Sequence, residues 1–183
     1  MVFVALVAAC VAAVVNNQPT VSLSMIRDIN NAQNIWRAGV NKLTVRPKHE
    51  NYRLLGVTLE AFAEHEKTIS ALPPPQKADL LLPESFDVRD KWPQCKKVIE
   101  DIRDQGDCGS CWAFGAAETM SDRECIHNNI TRFYSTQDIL ACGNNTLAMC
   151  GGCTGGLPWC AFKYWNAYGV VSEECSPYNV TVC

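Results

Sequence analysis

The chain has 183 residues, a formal net charge of −3 and 48% hydrophobic residues. This is the composition of a globular protein with room for one ordinary domain and processed segments, and the negative charge disfavours a nucleic-acid partner. Eleven cysteines favour an oxidising compartment, because cytosolic thiols are kept reduced.

Residues 1–15 form an uninterrupted apolar run. The run is shorter than the roughly 20 residues of a membrane-spanning helix, so we expect a signal peptide over residues 1–13, although no basic residue precedes it. A buried strand or helix is the alternative. We therefore expect a protein of the secretory pathway, lysosomal or extracellular, with no membrane span in its mature form. Three sequons add candidate glycosylation sites at Asn129, Asn144 and Asn179.

Residues 14–81 contain no cysteine. Apolar residues recur at roughly helical spacing between Ser24 and Ala38, which predicts a helix. Three consecutive prolines at 73–75 predict a stiff, extended linker that is open to proteolysis. We interpret residues 14–81 as a pro-segment removed just before Leu82, and an ordinary N-terminal subdomain is the alternative.

The run QGDCGSCWAF at residues 105–114 places Cys111 at the start of an alanine-rich segment that predicts a helix. A helix N-terminus stabilises a thiolate through its unpaired N–H groups and its dipole, so Cys111 is a candidate nucleophile. The side-chain amide of Gln105 and the backbone N–H of Cys111 are candidate donors to the oxyanion of an acyl-transfer reaction. Gly109 leaves room for a substrate backbone.

Two other interpretations fit the spacing of the cysteines. Cys108 and Cys111 have the spacing of a thioredoxin-type redox pair, but the surrounding pattern is not βαβ. Cys108, Cys111, Cys150 and Cys153 form two C-x-x-C pairs, as in some zinc sites, but the pairs are further apart than in a zinc ribbon and an oxidising compartment favours disulfides. We therefore expect no metal at these cysteines, and the resemblance described next implies neither a metal nor an organic cofactor.

The segment CGSCW at 108–112 matches the nucleophile signature of papain-like cysteine proteases. Four further segments resemble cathepsin B-like preproenzymes: the propeptide-like WRAGVN at 36–41, the mature N-terminus LPESFDVRD at 82–90, the helix STQDILAC at 135–142, and the glycine-rich CGGCTGG at 150–156. The resemblance implies an α+β, papain-like fold. Mainly its helical left-hand domain is present, incomplete over residues 82–183 and preceded by a short propeptide.

The resemblance also implies a function. A cathepsin B-like cysteine peptidase hydrolyses peptide or protein substrates through a thioester acyl-enzyme, and its own propeptide inhibits it. Here the propeptide would cross the cleft near residues 54–57. The implied site residues are the catalytic Cys111 and Gln105, and the substrate-binding Gly109, Trp112, Gly155 and Gly156.

By the same resemblance, Cys95 pairs with Cys125, and Cys108 pairs with Cys153. The pairing of Cys142, Cys150 and Cys160 is open. Cys175 and Cys183 are expected to pair with residues beyond the chain.

The catalytic base is the missing component. His49 and His65 lie in the pro-segment, and His127 follows Cys111 by sixteen residues, about 24 Å along a continuous helix. The family places its histidine and asparagine roughly 130–150 residues after the cysteine. We therefore expect an N-terminal fragment that is inactive alone; the alternative is a secreted, non-catalytic homologue that binds peptides or matrix. The sequence leaves open the substrate preference and the choice between endopeptidase and exopeptidase.

Overall fold

The computed structural model describes residues 19–57, 62–63, 66–67, 83–146 and 150–179, with the backbone alone for 144–146. The chain divides into two compact units, Met1–Leu54 and Leu55–Cys183. The predicted signal peptide, the proline run and Leu82 lie outside the described residues.

Helix α1 of the first unit spans Leu23–Ala32. Ser22 caps its N-terminus, and the Ser22 hydroxyl accepts a hydrogen bond from the Met25 N–H. The helix predicted up to Ala38 is therefore too long. The backbone becomes extended at Gln33. The side-chain oxygen of Gln33 accepts hydrogen bonds from the backbone N–H groups of Ile35 and Trp36. A side chain that satisfies local backbone donors competes with helix continuation.

The rest of the first unit is a short helix and one bridge. Helix α2 spans Lys48–Tyr52 and follows Pro47. Pro47 also forms an isolated antiparallel bridge with Pro19. The Pro47 carbonyl accepts the N–H groups of Glu50 and Asn51, which are the first hydrogen bonds of this helix.

The second unit begins with short helices: α3 over Val88–Lys91, a 3₁₀ turn over Pro93–Cys95, and α4 over Lys96–Ile99. Their buried residues, Cys95 and Val98, form a small core with Cys125. This core lies against the C-terminal part of the next helix, to which the Cys95–Cys125 disulfide joins it.

Helix α5, Cys111–Asn128, is the central element of the second unit. Small and apolar side chains make its N-terminal half a buried surface, and the predicted core face is fully buried at Ala113, Ala117 and Met120. The helix ends at Asn129, which adopts the left-handed conformation and donates its N–H to the Cys125 carbonyl. Asparagine tolerates this conformation better than most residues.

Two helices pack against α5 and against each other: α6 over Thr136–Thr146 and α7 over Pro158–Tyr168. Between them lies a 3₁₀ turn over Gly152–Thr154. The strand-type pairing of this unit, within the described residues, consists of the isolated bridges Tyr134–Ser172 and Cys150–Gly156. The described part is thus the helical half that the sequence predicts.

Candidate active site

Cys111 is the first residue of α5 and has a partly exposed thiol outside any disulfide. The preceding Ser110 gives no side-chain cap; instead its carbonyl accepts the N–H groups of Ala113 and Phe114. The N–H groups of a helix's first turn have no partner further back within the helix. The predicted nucleophile therefore lies at the positive end of the helix dipole.

The loop before Cys111 contains Gln105 and Gly109. The Gln105 Nε2 donates to the Cys108 carbonyl at 2.7 Å, and an amide nitrogen carries two hydrogens. Gly109 donates its N–H to the Cys153 carbonyl at 3.1 Å. Gln105 and Gly109 thus belong to one loop that leads directly into the helix of Cys111.

Three disulfides are formed among the described residues. Cys95–Cys125 and Cys108–Cys153 are the two pairs that the resemblance implies. The third, Cys150–Cys160, belongs to the set that the sequence left open. Because Cys108, Cys150 and Cys153 are all in disulfides, neither the redox pair nor the zinc site is formed.

The glycine-rich stretch meets the backbone of Gly56 above the thiol. Gly156 donates its N–H to the Gly56 carbonyl at 2.8 Å. A Cβ atom on Gly56 would lie 2.1 Å from the Gly109 carbonyl oxygen and 3.0 Å from the Cys111 Sγ. Gly155 has a φ of 116°, and a Cβ there would lie 2.9 Å from the Gly56 oxygen. Glycine is therefore required wherever these backbones approach.

Trp112 corrects one expectation. We expected it to line the cleft, but only 1% of its surface is exposed. Its indole N–H donates to the Gly152 carbonyl at 3.2 Å. One residue after Cys111, the helix turns this side chain into the core, where it supports the glycine-rich stretch from beneath.

Tyr178 is the site residue that the sequence analysis missed. Its hydroxyl donates to the Gln105 carbonyl at 2.8 Å and lies 2.7 Å from the Ser110 hydroxyl. Its ring packs edge-on against Phe114, with centroids 4.6 Å apart. Tyr178 is 73 residues from Gln105 in sequence, so no local pattern could have identified the contact.

The histidine of the second unit's described part does not approach the thiol. His127 is exposed in the last turn of α5, at the opposite end of a continuous helix from Cys111. His65 lies outside the described residues. No group of three or more His, Cys, Asp and Glu side chains is placed to hold a metal ion within the described ranges.

The three predicted glycosylation sites differ in what the structure describes. Asn129 and Asn179 are exposed, and the side chain of Asn144 lies outside the described part. Glycosylation remains a prediction at all three. Among the described residues, no helix has both the length and the apolar character needed to cross a membrane.

Comparison with known proteins identifies the family. The sequence model of the papain family of cysteine proteases matches residues 82–183. The chain belongs to the papain family. The matched residues include the whole of helix α5, whose first residue is Cys111.

Within this papain family, cathepsin B-like proteins are similar to the chain. Cathepsin B-like cysteine proteinase 5 of Caenorhabditis elegans is 36% identical over 87% of this chain and 47% of its own length. Cathepsin B-like cysteine proteinase 6 of the same organism is 39% identical over 87% of this chain and 44% of its own length. The structure of procathepsin B S9 from Trypanosoma congolense has a TM-score of 0.72 and 31% identity, over 88% of this chain and 54% of that one. The chain thus spans about half the length of these relatives.

Proposed function

We propose that the complete protein is a cathepsin B-like cysteine peptidase made as a zymogen. The Cys111 thiolate attacks the carbonyl carbon of a peptide bond, and a C–S bond forms as the carbonyl electrons move to oxygen. The Gln105 amide and the Cys111 backbone N–H stabilise this oxyanion. The amine leaves with a proton, and water then hydrolyses the thioester, which restores the thiol.

The reaction requires a base that takes the thiol proton, and papain-like proteases use a histidine for this step. His127 is exposed at the other end of α5 and is not placed to serve. We assign the base to the part of the relatives' length that residues 1–183 do not span. Residues 1–183 alone would then be inactive.

The Gly56–Gly156 hydrogen bond, formed over the Cys111 thiol, is the observation that carries the proposal. A substrate backbone at this place would use the same Gly156 N–H and the same space beside Gly155. Gly56 occupies that space in the uncleaved chain, so the segment over residues 55–57 would exclude substrate. This supports residues 14–81 as an inhibitory propeptide, released by cleavage before Leu82.

The three disulfides support the secretory pathway as the place of synthesis. We propose signal-peptide cleavage after residue 13 and glycans at Asn129, Asn144 and Asn179. Mass analysis of the secreted protein before and after enzymatic deglycosylation tests both. An unmodified protein that keeps residue 1 would contradict both.

The catalytic proposal is tested on the complete protein after removal of residues 14–81. A peptidyl epoxide that alkylates nucleophilic thiols should label Cys111, identified by peptide mapping, and the same preparation should hydrolyse a fluorogenic peptide. The variant Cys111→Ser should lose both the epoxide label and the peptide hydrolysis. The matched variant Cys142→Ser removes another exposed cysteine that lies outside the three disulfides, and it should keep both.

A secreted, non-catalytic homologue that binds peptides or matrix gives the opposite result. Such a protein would show no epoxide label at Cys111 and no hydrolysis after propeptide removal, but would retain a peptide added to the cleft. That outcome would replace the peptidase proposal with the binding one.

A further inference from the structure

One hydroxyl group connects the two sides of the proposed oxyanion site. The Tyr178 hydroxyl donates to the backbone carbonyl of Gln105 at 2.8 Å. Because this uses the phenolic hydrogen, the Ser110 hydroxyl, 2.7 Å away and fully buried, is the donor in the other contact. A directed chain thus runs from Ser110, which precedes the nucleophile, through Tyr178 to Gln105.

Tyr178 is itself held from several directions. Its ring packs on Phe114, and its backbone N–H donates to the Glu173 Oε1 at 2.8 Å. The other oxygen of Glu173 pairs with Arg103 at 2.6 Å. The Arg103 guanidinium in turn lies 4.9 Å from the centre of the Phe114 ring. Since each partner is fixed by another, the phenol oxygen has a defined position.

We infer that Tyr178 is a positioning residue of the oxyanion site, through its hydroxyl. This rests on the proposed peptidase function. An oxyanion site works when its donors lie about 3 Å from the developing charge, and a misplacement of about 1 Å can reduce the rate by about a hundredfold. By fixing the Gln105 backbone to the start of α5, the Tyr178 hydroxyl sets the spacing between the Gln105 amide and the Cys111 N–H.

The substitution Tyr178→Phe tests the role of that one oxygen atom. It keeps the ring against Phe114 and the backbone bond to Glu173. In the activated protein we expect kcat to fall by about tenfold with KM within about twofold, because the lost interaction acts on the transition state. A peptide aldehyde, whose adduct with Cys111 places an oxygen in the same site, should bind weaker by about the same factor.

Tyr134→Phe is the matched control. It also removes a tyrosine hydroxyl that donates a hydrogen bond, here to the Glu124 Oε2 at 2.7 Å, and Tyr134 belongs to the core against which Tyr178 packs. Both variants should lower the melting temperature by similar amounts, but Tyr134→Phe should leave kcat and aldehyde affinity unchanged. An equal loss of kcat in the two variants would show a general stability effect and overturn the inference.

A double-mutant cycle with Gln105→Ala decides how Tyr178 acts. If Tyr178 acts by placing the Gln105 side chain, Tyr178→Phe should cost little further activity once that side chain is absent. Multiplication of the two losses, or an unchanged kcat in Tyr178→Phe, contradicts the inference while leaving the peptidase function intact. A wild-type protein that neither hydrolyses peptide nor reacts with the epoxide instead contradicts the proposed function, and the inference with it.

Discussion

The two ends of helix α5 are both anchored by a disulfide, yet they differ in the state of their backbone groups. At the C-terminal end, Cys125 is bonded to Cys95, and Asn129 caps the helix by donating to the Cys125 carbonyl. At the N-terminal end, Cys108 is bonded to Cys153, and no side chain caps the helix. The C-terminal end thus has a hydrogen-bonded cap, whereas the N-terminal end has no side-chain cap.

The two ends of α5 also differ in burial, because the residues that follow Cys111 are more buried than those of the last turn. Trp112, Ala113 and Ala116 near the N-terminus are at most 1% exposed, whereas His127 and Asn128 in the last turn are exposed. Uncapped N–H groups are useful for chemistry only if the backbone that carries them is rigid. Rigidity at the N-terminal end comes from the core beneath it, so the cap can be omitted there.

Removal of one disulfide at a time should give the largest difference between the ends. The pair Cys108→Ser with Cys153→Ser, and the pair Cys95→Ser with Cys125→Ser, should each lower the free energy of unfolding by about 2–5 kcal/mol. In the activated protein, only the first pair should also lower kcat, because it frees the loop of Gln105 and Gly109. Denaturant unfolding and peptide hydrolysis measure the two effects. Equal loss of kcat in both pairs would remove the functional distinction between the ends.

In the uncleaved chain, Gly56→Ala should make the Cys111 thiol at the N-terminal end of α5 more accessible. The added Cβ would lie 2.1 Å from the Gly109 carbonyl oxygen, and overpacking of this kind costs about 1–3 kcal/mol. The rate of Cys111 alkylation by iodoacetamide should therefore rise by about tenfold or more, as measured by mass spectrometry.

Gly39→Ala is the control for that experiment, because a Cβ there meets nothing within 4 Å. It should leave the alkylation rate of Cys111 unchanged. A Gly56→Ala variant as unreactive as Gly39→Ala would mean that the backbone at residue 56 does not shield the thiol.

Asn129→Ala should weaken the C-terminal end alone. Asn129 has a φ of 57°, and a residue with an ordinary Cβ pays about 1–2 kcal/mol there. Asn129→Gly should cost little, because glycine adopts this conformation freely. Both variants remove the sequon, so a difference in unfolding free energy between them reports the backbone and not a glycan. Peptidase activity should be the same in both.

Glu118→Gln tests the middle of α5 and should have the smallest effect. Burial raises the pKa of Glu118, and the charge of Arg103 opposes this. A carboxyl group whose pKa is higher in the folded state contributes stability at acid pH that is lost as the pH rises through that pKa. The variant should therefore gain stability relative to wild type near pH 7 and not near pH 3.5, by at most about 0.5 kcal/mol. A gain at the acid pH only would contradict the sign.

The sequence predicts the local features of the site well. The helix after Cys111 and its core face follow from alanine-rich composition and spacing, and both are present. The approach of Gly56 to the cleft was expected from the resemblance around residues 54–57, and the structure places it over the thiol. These features depend on neighbours in sequence or on a recognised motif.

Long-range contacts explain most of what the sequence did not predict. Tyr178 reaches Gln105 across 73 residues, and no local pattern encodes such a contact. The resemblance assigned Trp112 to the cleft, but its side chain is buried, because successive helix residues point about 100° apart. The Cys150–Cys160 bond is one of several pairings that counting cysteines allows.

In the proposed zymogen, inhibition by the backbone at Gly56 depends on the local concentration of the segment that carries it. A segment tethered to its own binding site experiences an effective concentration of about millimolar, so even a weak grip keeps it in place. After the proposed cleavage before Leu82, the same segment would be diluted to its bulk concentration and should dissociate. Gly56 offers only backbone to the cleft, where its carbonyl accepts a hydrogen bond from the Gly156 N–H. Such a contact suits an inhibitor that must hold as part of the chain and leave quickly after cleavage.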